Sequence, residues 1–517
     1  MRRLITSPIF YTNGSPHLGH LYCLLICDAR SRYERLLGKE SILSTGTDEH
    51  GSKVFKASGS LDPQCYVDKI SSDFSRLWDV VGANVGVFTR TTDSNHTKSV
   101  QQFWNKISHE SVKESYSGWY SEIDEAFYSD YQIEDGPNNN KIAKETSNPL
   151  EWVEEENYVF RIGPYLPQIR KWLQTSVHPK MFLSAFSEEY LHNEDLRVSI
   201  SRPSSRLQWG IPVPNDPSQT IYVWVDALAN YLTALGFPDN DNRDILSNTT
   251  HVVGKDIIKF HGVYWPAFLL AAGFDLPKEI VVHSHWTIDN FKMSKSRGNV
   301  LNPSQVIDEH FDGFAEALRF ALLHEGILEH NSNYSRSKML EIANVKLGNV
   351  WGNLLSRVTA PTLNKSQTFP MYDNFDEIEH IRNSEELITG LEDIGSHVTK
   401  DFDNYHFSKG IRRVMDILRT TNAFIDEARP WSLAKDAEHT QMLSQVIHLC
   451  MESLRISGIL LQPIVPGMAS ASLQKIGIDE TERLYSYARF PSWKLKNKKP
   501  SFQIHTDKIK LLPKLKS

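Results

Sequence analysis

Two short motifs, far apart in the 517-residue chain, carry side chains suited to nucleotide chemistry: HLGH at 17–20 and KMSKS at 292–296. Imidazoles and a bare glycine backbone at the start of a helix can face a nucleotide triphosphate, and two lysines on a loop can close over the same phosphates. Either motif alone is common in helix starts or solvated loops, so the inference depends on both. Together they predict activation of ATP for adenylyl transfer, with the phosphate charge faced by His17, His20, Lys292 and Lys295.

The residues around the first motif predict the elements that position it. Residues 4–7 are typical of a strand, 18–37 of a helix that ends at Gly38, and 41–45 of a second strand. This order forms a βαβ unit, which opens a doubly wound nucleotide-binding sheet.

The same sheet is predicted to resume later in the chain. Strand-like runs at 221–225, 250–253 and 280–283 flank a helix predicted over 256–272. The segment that interrupts the sheet, 116–215, is of the length of an inserted domain.

After Asn302 the apolar residues recur at three- and four-residue spacing, which predicts amphipathic helices throughout the C-terminal third. The two clearest runs are Ala343, Leu347, Val350, Leu354 and Val358, and Phe407, Ile411, Val414, Leu418 and Ile425. Pro430 is predicted to end the second run, because proline cannot continue a helix.

Composition excludes several classes of protein. No run of eighteen apolar residues is present, so a membrane span is not expected. The net charge of −7 argues against a generally basic nucleic-acid binder, although residues 494–516 carry eight lysines and can be either a solvated tail or a contact for RNA phosphates. The four cysteines lack the spacing of a disulfide framework or a zinc site, and Cys23 and Cys27 are predicted to pack in a helix core.

The motifs resemble those of class I aminoacyl-tRNA synthetases, and within that class those of the methionyl enzymes. The resemblance spans nearly the whole chain and is carried by IFYTNG at 9–14, GTDEHG at 46–51, YVWVDA at 222–227, GKD at 254–256 and WPA at 265–267. It implies a methionine-tRNA ligase, in which L-methionine and ATP give methionyl-adenylate and the methionyl group then passes to the terminal adenosine of tRNA(Met). Magnesium is expected to accompany ATP.

The resemblance implies an α/β fold with a Rossmann-like doubly wound parallel sheet, a connective insertion and an α-helical anticodon-binding bundle. The implied domains are the first half of the catalytic sheet at 1–115, the insertion at 116–215, the second half at 216–280, a KMSKS and stem-contact region at 281–335, and the anticodon-binding domain with its basic tail at 336–517.

The resemblance also implies the ATP contacts, namely Gly19, Gly254, Asp256, His283, Trp286, Ser294 and Ser296. Considered as residues alone, His20 can instead be satisfied by its own helix backbone, and Asp256 can be only a helix N-cap. Ser284 and Asn290 replace glycines that are usual in the family. Asparagine tolerates a left-handed backbone, whereas Ser284 would alter the local turn if its φ were positive.

A selective methionine pocket needs aromatic walls around the thioether and polar contacts for the α-amino and carboxylate groups, because the side chain is unbranched, polarisable and almost without hydrogen-bonding atoms. The residues that match the family pocket are Ile9, Tyr11, Trp224, Ala227, Leu228, Tyr231, Ile257 and His261, with Asp48 at the ammonium. Without the motifs, the apolar members would be interpreted as ordinary core. Leu228 replaces a proline common in the family.

For tRNA selection, Asn353 and Arg357 lie one helical turn apart and Trp431 follows a helix end; these match the family's anticodon-reading residues. An amide, a guanidinium and an indole can bond and stack splayed bases, although a surface pair and a core tryptophan are the alternative.

No structural zinc is expected, because Ser121 and Asp124 occupy the places of a family Cys-x-x-Cys pair and cannot reproduce a thiolate site. The insertion also looks too small for the editing domain of leucyl, isoleucyl or valyl enzymes.

Because it lacks zinc ligands, the chain resembles the compact mitochondrial type of methionyl enzyme. The mitochondrial matrix is therefore the expected location, and a monomer is the expected state. A strand begins directly after residues 1–3, leaving no room for a presequence, so a cytoplasmic location stays open. Two rival functions are less favoured. Another nucleotidyl-transferring enzyme of the superfamily does not explain the helical C-terminal third with Asn353, Arg357 and Trp431, and a non-enzymatic tRNA-binding paralogue does not explain the intact catalytic motifs.

Overall fold

The computed structural model describes residues 2–123, 125–128, 130–137, 140–144, 147–186, 191–240, 243–293, 299–370, 372, 374–491, 501–507 and 510–516. The chain forms two compact units. The first comprises residues 1–16, 42–78 and 85–283, and the second comprises 17–41, 79–84 and 284–517.

The first unit contains most of the strands. In chain order they are β1 (Arg3–Thr6), β2 (Phe10–Tyr11), β3 (Ser41–Asp48), β4 (Val87–Arg90), β5 (Ser111–Ser121), β6 (Ala126–Tyr128), β7 (Ile133–Asp135), β8 (Lys141–Ala143), β9 (Pro149–Arg161), β10 (Val177–His178), β11 (Arg197–Ser199), β12 (Ser201–Pro203), β13 (Pro212–Val213), β14 (Asp216–Ile221), β15 (Thr249–Gly254) and β16 (Glu279–His283).

The helices of the first unit lie between these strands, whereas α1 belongs to the second unit. In chain order the helices are α1 (Leu18–Leu36), α2 (Ser52–Ser58), α3 (Pro63–Val80), α4 (Ser94–Ile107), α5 (Leu166–Ser176), α6 (Val223–Thr233), α7 (Arg243–Leu246) and α8 (Trp265–Ala271).

A parallel sheet forms the centre of the first unit. Its strand order is β10-β16-β15-β1-β3-β2, and β4 also pairs with β3. The pairings of β1 with β15, β15 with β16, and β3 with β2 and β4 are all parallel. The strands predicted at 4–7, 41–45, 250–253 and 280–283 are therefore confirmed, and they direct their carboxyl ends to one edge of the sheet, where ligands bind in such folds.

The segment between α4 and α6 contributes β10 to the parallel sheet, and its other strands form antiparallel sheets. One sheet has the order β6-β5-β9-β8-β7, with β11 also pairing β9, and a second has the order β12-β14-β13. The long pairing of β5 with β9 runs from Ser111 opposite Phe160 to Tyr120 opposite Glu151.

Two predicted elements of the first unit are wrong. The strand predicted at 221–225 ends at Ile221, and α6 begins at Val223 with Asp226 in its first turn. The helix predicted at 256–272 is broken into a 3₁₀ turn at Lys255–Ile257, a π-helical turn at Phe260–Tyr264 and α8. Pro266 lies at the start of α8 and has no N–H to bond four residues back, which favours the wider turn before it.

The remaining elements of the second unit are mainly helical. They are β17 (Trp286–Ile288), β18 (Phe291–Lys292), α9 (Pro303–Phe311), α10 (Ala315–Glu325), β19 (Ser332–Tyr334), α11 (Arg336–Ile342), a π-helical segment (Ala343–Gly352), α12 (Asn353–Val358), β20 (Thr368–Pro370), α13 (Ser384–Asp403), α14 (Phe407–Ala428), α15 (Pro430–Leu433), α16 (Thr440–Leu461), α17 (Pro466–Lys475) and β21 (Ser501–Gln503).

The predicted helical periodicity is confirmed in this unit. Every member of the second apolar run, from Phe407 to Ile425, is buried on α14, and the helix ends before Pro430. In the first run Val350 is only half-buried, whereas the other four members are buried.

A buried ion pair helps to join α1 to the rest of the second unit. The Asp28 carboxylate on α1 accepts a hydrogen bond of 2.7 Å from Arg319 on α10, and both side chains are fully buried. Arg32 also contacts Asp28 at 2.9 Å. These cations hold the pKa of Asp28 below its ordinary value against the opposing effect of burial.

The described part of the C-terminal segment packs against this unit. Strand β21 pairs antiparallel with β20, and the ammonium of Lys475 donates to the carbonyl oxygens of His505 and Asp507. The side chains of Leu511 and Leu515 are buried. Within the described ranges, no helix is long and apolar enough to cross a membrane.

Candidate active site

The histidine motif forms a closed cap at the start of α1. His17 is the N-cap residue, and its Nδ1 accepts a hydrogen bond of 3.0 Å from the Gly19 N–H. In return, the Nδ1 of His20 accepts from the His17 N–H at 3.3 Å, and the two rings stack with centroids 3.6 Å apart. His20 therefore does bond to the backbone at the start of its own helix, which was the alternative role stated for it.

This cap determines which ring nitrogens of the motif carry protons. Because both Nδ1 atoms accept hydrogen bonds, each neutral imidazole has its proton on Nε2. A Cβ atom at Gly19 would lie 2.9 Å from the His17 ring, so only glycine fits at this position without displacing the ring. The result is a pair of stacked N–H donors at a helix N-terminus, which favours a bound anion.

The lysine motif is described only in part. Lys292 belongs to β18, but its side chain and Ser294, Lys295 and Ser296 lie outside the described residues, so their contacts with ATP stay predictions. Just before the motif, Asn290 has a φ of +65°, the left-handed backbone expected where a glycine is usual.

Two further predicted positions lie near this motif in the second unit. Ser284 has no positive φ, and its N–H donates to the Leu328 carbonyl at 2.9 Å, so its replacement of glycine leaves the turn undistorted. Trp286 is buried in β17, with its ring edge-on to Tyr22 at 5.7 Å.

The predicted ATP contacts of the first unit, Gly254, Asp256 and His283, lie at or just after the carboxyl ends of β15 and β16. Gly254 and His283 are register partners at the ends of these strands, and the space for a Cβ at Gly254 faces the His283 ring at 3.8 Å. Asp256 lies within the 3₁₀ turn that follows, whose N-cap is Gly254. Asp256 is therefore not the N-cap residue of this turn.

A cavity of about 360 Å³ lies beside Asp256 in the first unit, within the size range of small-molecule sites. One wall is formed by Tyr222, Phe260 and Tyr264, and another by residues of the antiparallel strands, including Trp119 and Trp152.

The residues of the predicted methionine pocket belong to the first unit. Tyr11 and Asp48 are register partners at the ends of β2 and β3. On α6, Ala227, Leu228 and Tyr231 are buried, as is Ile9 after β1, whereas Ile257 is half-buried. The Trp224 ring stacks on Phe260 with centroids 3.5 Å apart and planes 12° apart.

Hydrogen bonds fix the polar groups of this pocket. The Tyr231 hydroxyl donates to Nε2 of His261 at 2.7 Å, and Nδ1–H of the same ring donates to the Ile257 carbonyl at 3.0 Å. Burial lowers the pKa of His261 to about 4, so the ring is neutral at physiological pH. The Tyr11 hydroxyl donates to the Glu125 carboxylate.

Asp48 is the most electrostatically unusual group of the pocket. Its Oδ1 is buried and has no hydrogen-bond partner among the described residues. Burial, followed by the negative charges of Asp226, Glu125 and Glu49, raises the pKa of Asp48 well above its ordinary value, against a hydrogen bond from the His50 backbone. A cation placed at Oδ1 would stabilise the ionised carboxylate.

The structure adds pocket residues that the sequence analysis did not name. His50 and Asp226 lie inside the quoted motifs and are bonded to each other at 2.7 Å. Phe260, which stacks on Trp224, lies three residues after Ile257. The closeness of these residues in sequence to the predicted pocket residues is a signal that could have found them. Glu125 belongs to the inserted segment, and nothing in its local sequence indicates a contact with Tyr11.

The predicted anticodon residues belong to the second unit. The Arg357 guanidinium lies 5.6 Å from the ring centroid of Trp431 and pairs with Asp426 at 2.6 Å. Trp431 is 43% exposed, so it is not the core residue of the alternative interpretation. Asn353 is exposed at the start of α12, one turn before Arg357.

In the described part of the chain, no group of three or more His, Cys, Asp and Glu side chains is arranged to hold a metal ion. Ser121 is a buried residue at the end of β5, and Asp124 lies outside the described residues.

Comparisons with known proteins identify a single family. Residues 3–359 match the family model described as tRNA synthetases class I (M). The chain is 39% identical over 492 residues to the mitochondrial methionine–tRNA ligase of Xenopus laevis, covering 93% of this chain and 86% of that protein. It is 36% identical to the mitochondrial methionine–tRNA ligase of Homo sapiens, covering 95% and 87%.

A solved structure agrees over the whole length. The methionyl-tRNA synthetase of Mycobacterium tuberculosis in complex with methionyl-adenylate matches with a TM-score of 0.90 and 28% identity, covering 99% of each chain. This match confirms the predicted fold class, an α/β protein with a doubly wound parallel sheet and a C-terminal helical region.

Proposed function

Because this chain belongs to the methionyl-tRNA synthetases, which are class I enzymes, we propose that Asp48 and the aromatic residues near it bind L-methionine for adenylation. The enzyme is a methionine-tRNA ligase. It joins L-methionine to AMP with release of pyrophosphate from ATP, and then transfers the methionyl group to the 3′-terminal adenosine of tRNA(Met). Its location is mitochondrial, in accord with its relatives in Xenopus laevis and Homo sapiens.

The observation that carries the methionine proposal is the buried Oδ1 of Asp48, which has no hydrogen-bond partner in the described part of the chain. An α-ammonium group would supply a hydrogen bond to Oδ1 and a positive charge that offsets the neighbouring carboxylates. The side chain then lies against Trp224, Tyr231 and a neutral His261, whose rings suit a polarisable thioether.

The remaining pocket residues complete the apolar wall in this proposal. They are Ile9, Tyr11, Ala227, Leu228 and Ile257. No charged group is needed around the sulfur, because methionine carries none there.

For ATP, we assign the phosphate charge to His17, His20, Lys292 and Lys295. Attack of the methionine carboxylate on the α-phosphate builds negative charge on the phosphate oxygens, and fixed N–H donors and ammonium groups stabilise that charge. The stacked Nε2–H groups of the capped histidines support this assignment.

The other nucleotide contacts are assigned to the ribose, the adenine and the loop. Asp256 and Gly254 take the ribose, because a carboxylate after a strand end can accept hydrogen bonds from both hydroxyls. The adenine and loop contacts are Gly19, His283, Trp286, Ser294 and Ser296. Mg²⁺ binds with ATP through its phosphates, and no structural zinc is required.

For tRNA(Met), we assign anticodon recognition to Asn353, Arg357 and Trp431. An exposed indole with a guanidinium beside it can stack an unpaired base, and the exposed amide of Asn353 can bond a base edge. The enzyme acts as a monomer in this proposal, with the domain boundaries predicted from the sequence.

Methionine-dependent exchange of pyrophosphate into ATP tests the proposal. Across a panel of amino acids, only methionine should support exchange at low concentration. Lys295→Ala should slow adenylate formation by about 10²–10³-fold with unchanged thermal unfolding, as removal of one transition-state donor does elsewhere. The matched control is Lys171→Ala, which removes an exposed lysine of α5. Equal exchange rates in the two variants would remove the role assigned to Lys295.

A further inference from the structure

Asp226 is a buried carboxylate to which the proposed function gives no role. It lies in the first turn of α6 and is 1% exposed. Its Oδ2 bonds to Nδ1 of His50 at 2.7 Å, and its Oδ1 bonds to Nε2 of His96 at 2.8 Å. These two bonds outweigh burial and hold the pKa of Asp226 at about 2, so the group is ionised.

The histidine on α4 is oriented at both ring nitrogens. Nε2 of His96 must donate, because a carboxylate only accepts, and its Nδ1 lies 2.8 Å from the hydroxyl of Thr233. Thr233 is the last residue of α6, so His96 bonds to both ends of that helix. The ring is fully buried.

The histidine after β3 connects Asp226 to the proposed ammonium site. The His50 backbone donates a hydrogen bond to the carboxylate of Asp48, while its ring donates to Asp226. One residue therefore contacts both carboxylates. A second tether fixes the same segment, since Trp209 donates from Nε1 to the Glu49 carbonyl at 2.6 Å and its own carbonyl accepts from the Gly51 N–H at 3.0 Å.

The sequence positions explain why this connection matters for methionine. Asp48 is two residues before His50, and Trp224 is two residues before Asp226. The bond between His50 and Asp226 thus joins the polar wall of the pocket to its aromatic wall. The negative charge of Asp226 also raises the pKa of Asp48, because it makes a second negative charge nearby unfavourable unless a cation compensates it.

We propose that Asp226 is a positioning residue for the methionine ammonium: through His50 it holds the Asp48 carboxylate in place, and its fixed charge increases the attraction of that site for a cation. The inference depends on the assignment of Asp48 in the proposed function. It predicts that loss of Asp226 weakens binding of ligands with an α-ammonium selectively.

The test is Asp226→Asn, which keeps the shape of the side chain but removes the charge and one acceptor. Methionine KM is measured by pyrophosphate exchange, and 4-(methylthio)butanoate, which is methionine without its amino group, is measured as a competitive inhibitor. We expect methionine KM to rise by about 10–100-fold, as loss of outer hydrogen-bond partners does at metal sites. The inhibition constant of the analogue should stay within about threefold.

Equal losses for methionine and the analogue would show that Asp226 only maintains the shape of the pocket, and no loss for either would show no role; both results overturn the proposal. Wild-type protein that supports no methionine-dependent exchange would instead refute the proposed function itself. Glu279→Gln is the matched control, because it neutralises another carboxylate of this unit, which is partly buried and bonded to Arg3, and it should leave both constants unchanged.

A second pair of variants keeps the test decisive if Asp226→Asn does not fold. His96→Leu removes one donor to Asp226, whereas His96→Gln retains an amide N–H that can donate to it. We expect the selective loss of methionine binding in His96→Leu and values within about threefold of wild type in His96→Gln. Unchanged methionine KM in a folded His96→Leu variant contradicts the proposal.

Discussion

Replacement of Asp48 by asparagine should have opposite effects on methionine binding and on the stability of the ligand-free protein. The Oδ1 atom is buried and finds no hydrogen-bond partner among the residues that the structure describes, and three other carboxylates act on the group. Asparagine removes the negative charge that attracts the methionine ammonium. It also removes a buried charge that is unfavourable in the ligand-free protein.

The loss of binding follows from the bond to the ammonium. A hydrogen bond to a charged group contributes about 1.5–3 kcal/mol, and tenfold in affinity corresponds to about 1.4 kcal/mol, so methionine KM should rise by about 10- to 150-fold. The KM for ATP should change little, because Asp48 is not assigned a contact with the nucleotide. Pyrophosphate exchange with each substrate titrated in turn measures both constants.

The gain in stability depends on pH in a defined direction. The folded-state pKa of Asp48 is raised, so between its ordinary and its raised value the folded protein binds more protons than the unfolded chain. The wild-type free energy of unfolding therefore falls as pH rises through that interval, by about 1.4 kcal/mol for each pH unit it spans. The variant lacks this group, so its advantage should be present at pH 7 and disappear in acid.

Thermal unfolding without methionine, followed by circular dichroism from pH 4 to 8, measures this difference. The matched control is Glu49→Gln, since Glu49 is bonded to Arg90 at 2.8 Å and its loss should destabilise the protein by about 3 kcal/mol. A methionine KM within threefold of wild type, or an asparagine variant that is less stable at pH 7, would refute the reasoning.

Three further outcomes are expected. Tyr231→Phe should lower the free energy of unfolding by about 1–3 kcal/mol, because Nε2 of His261 loses its buried donor; unchanged denaturant unfolding contradicts this. Arg319→Met should cost about 3–5 kcal/mol by leaving Asp28 short of a cation, and Asp28→Asn in the same chain should recover part of the loss in thermal unfolding. Trp431→Ala should lower kcat/KM for tRNA by about 5- to 150-fold, the equivalent of about 1–3 kcal/mol for one stacked base, with unchanged pyrophosphate exchange; equal loss in both assays contradicts the anticodon role.

Local patterns in the sequence were sufficient to predict the elements whose conformation depends on nearby residues, such as a turn glycine or the spacing of apolar side chains. The helix after the first strand was predicted to end at Gly38, which has a φ of +76° beyond the C-cap. The run from Phe407 to Ile425 buries one face because its spacing matches the helical repeat.

The incorrect elements are those in which long-range contacts outweigh local preference. The β-branched and aromatic residues at 221–225 favour a strand, but helix α6 aligns Asp226 with two histidines from other elements. The same limit applies to the pocket, because Glu125 approaches Tyr11 across 114 residues of sequence and has no local signal.

The pairing of β20 with β21 has a consequence for biosynthesis. Thr368 is opposite Gln503, so β20 finds its partner strand only in a much later stretch of the chain, which is translated after the helices between them. The ammonium of Lys475 likewise receives its carbonyl acceptors from that same stretch. The ribosome must therefore release residues 501–507 before this pairing can form.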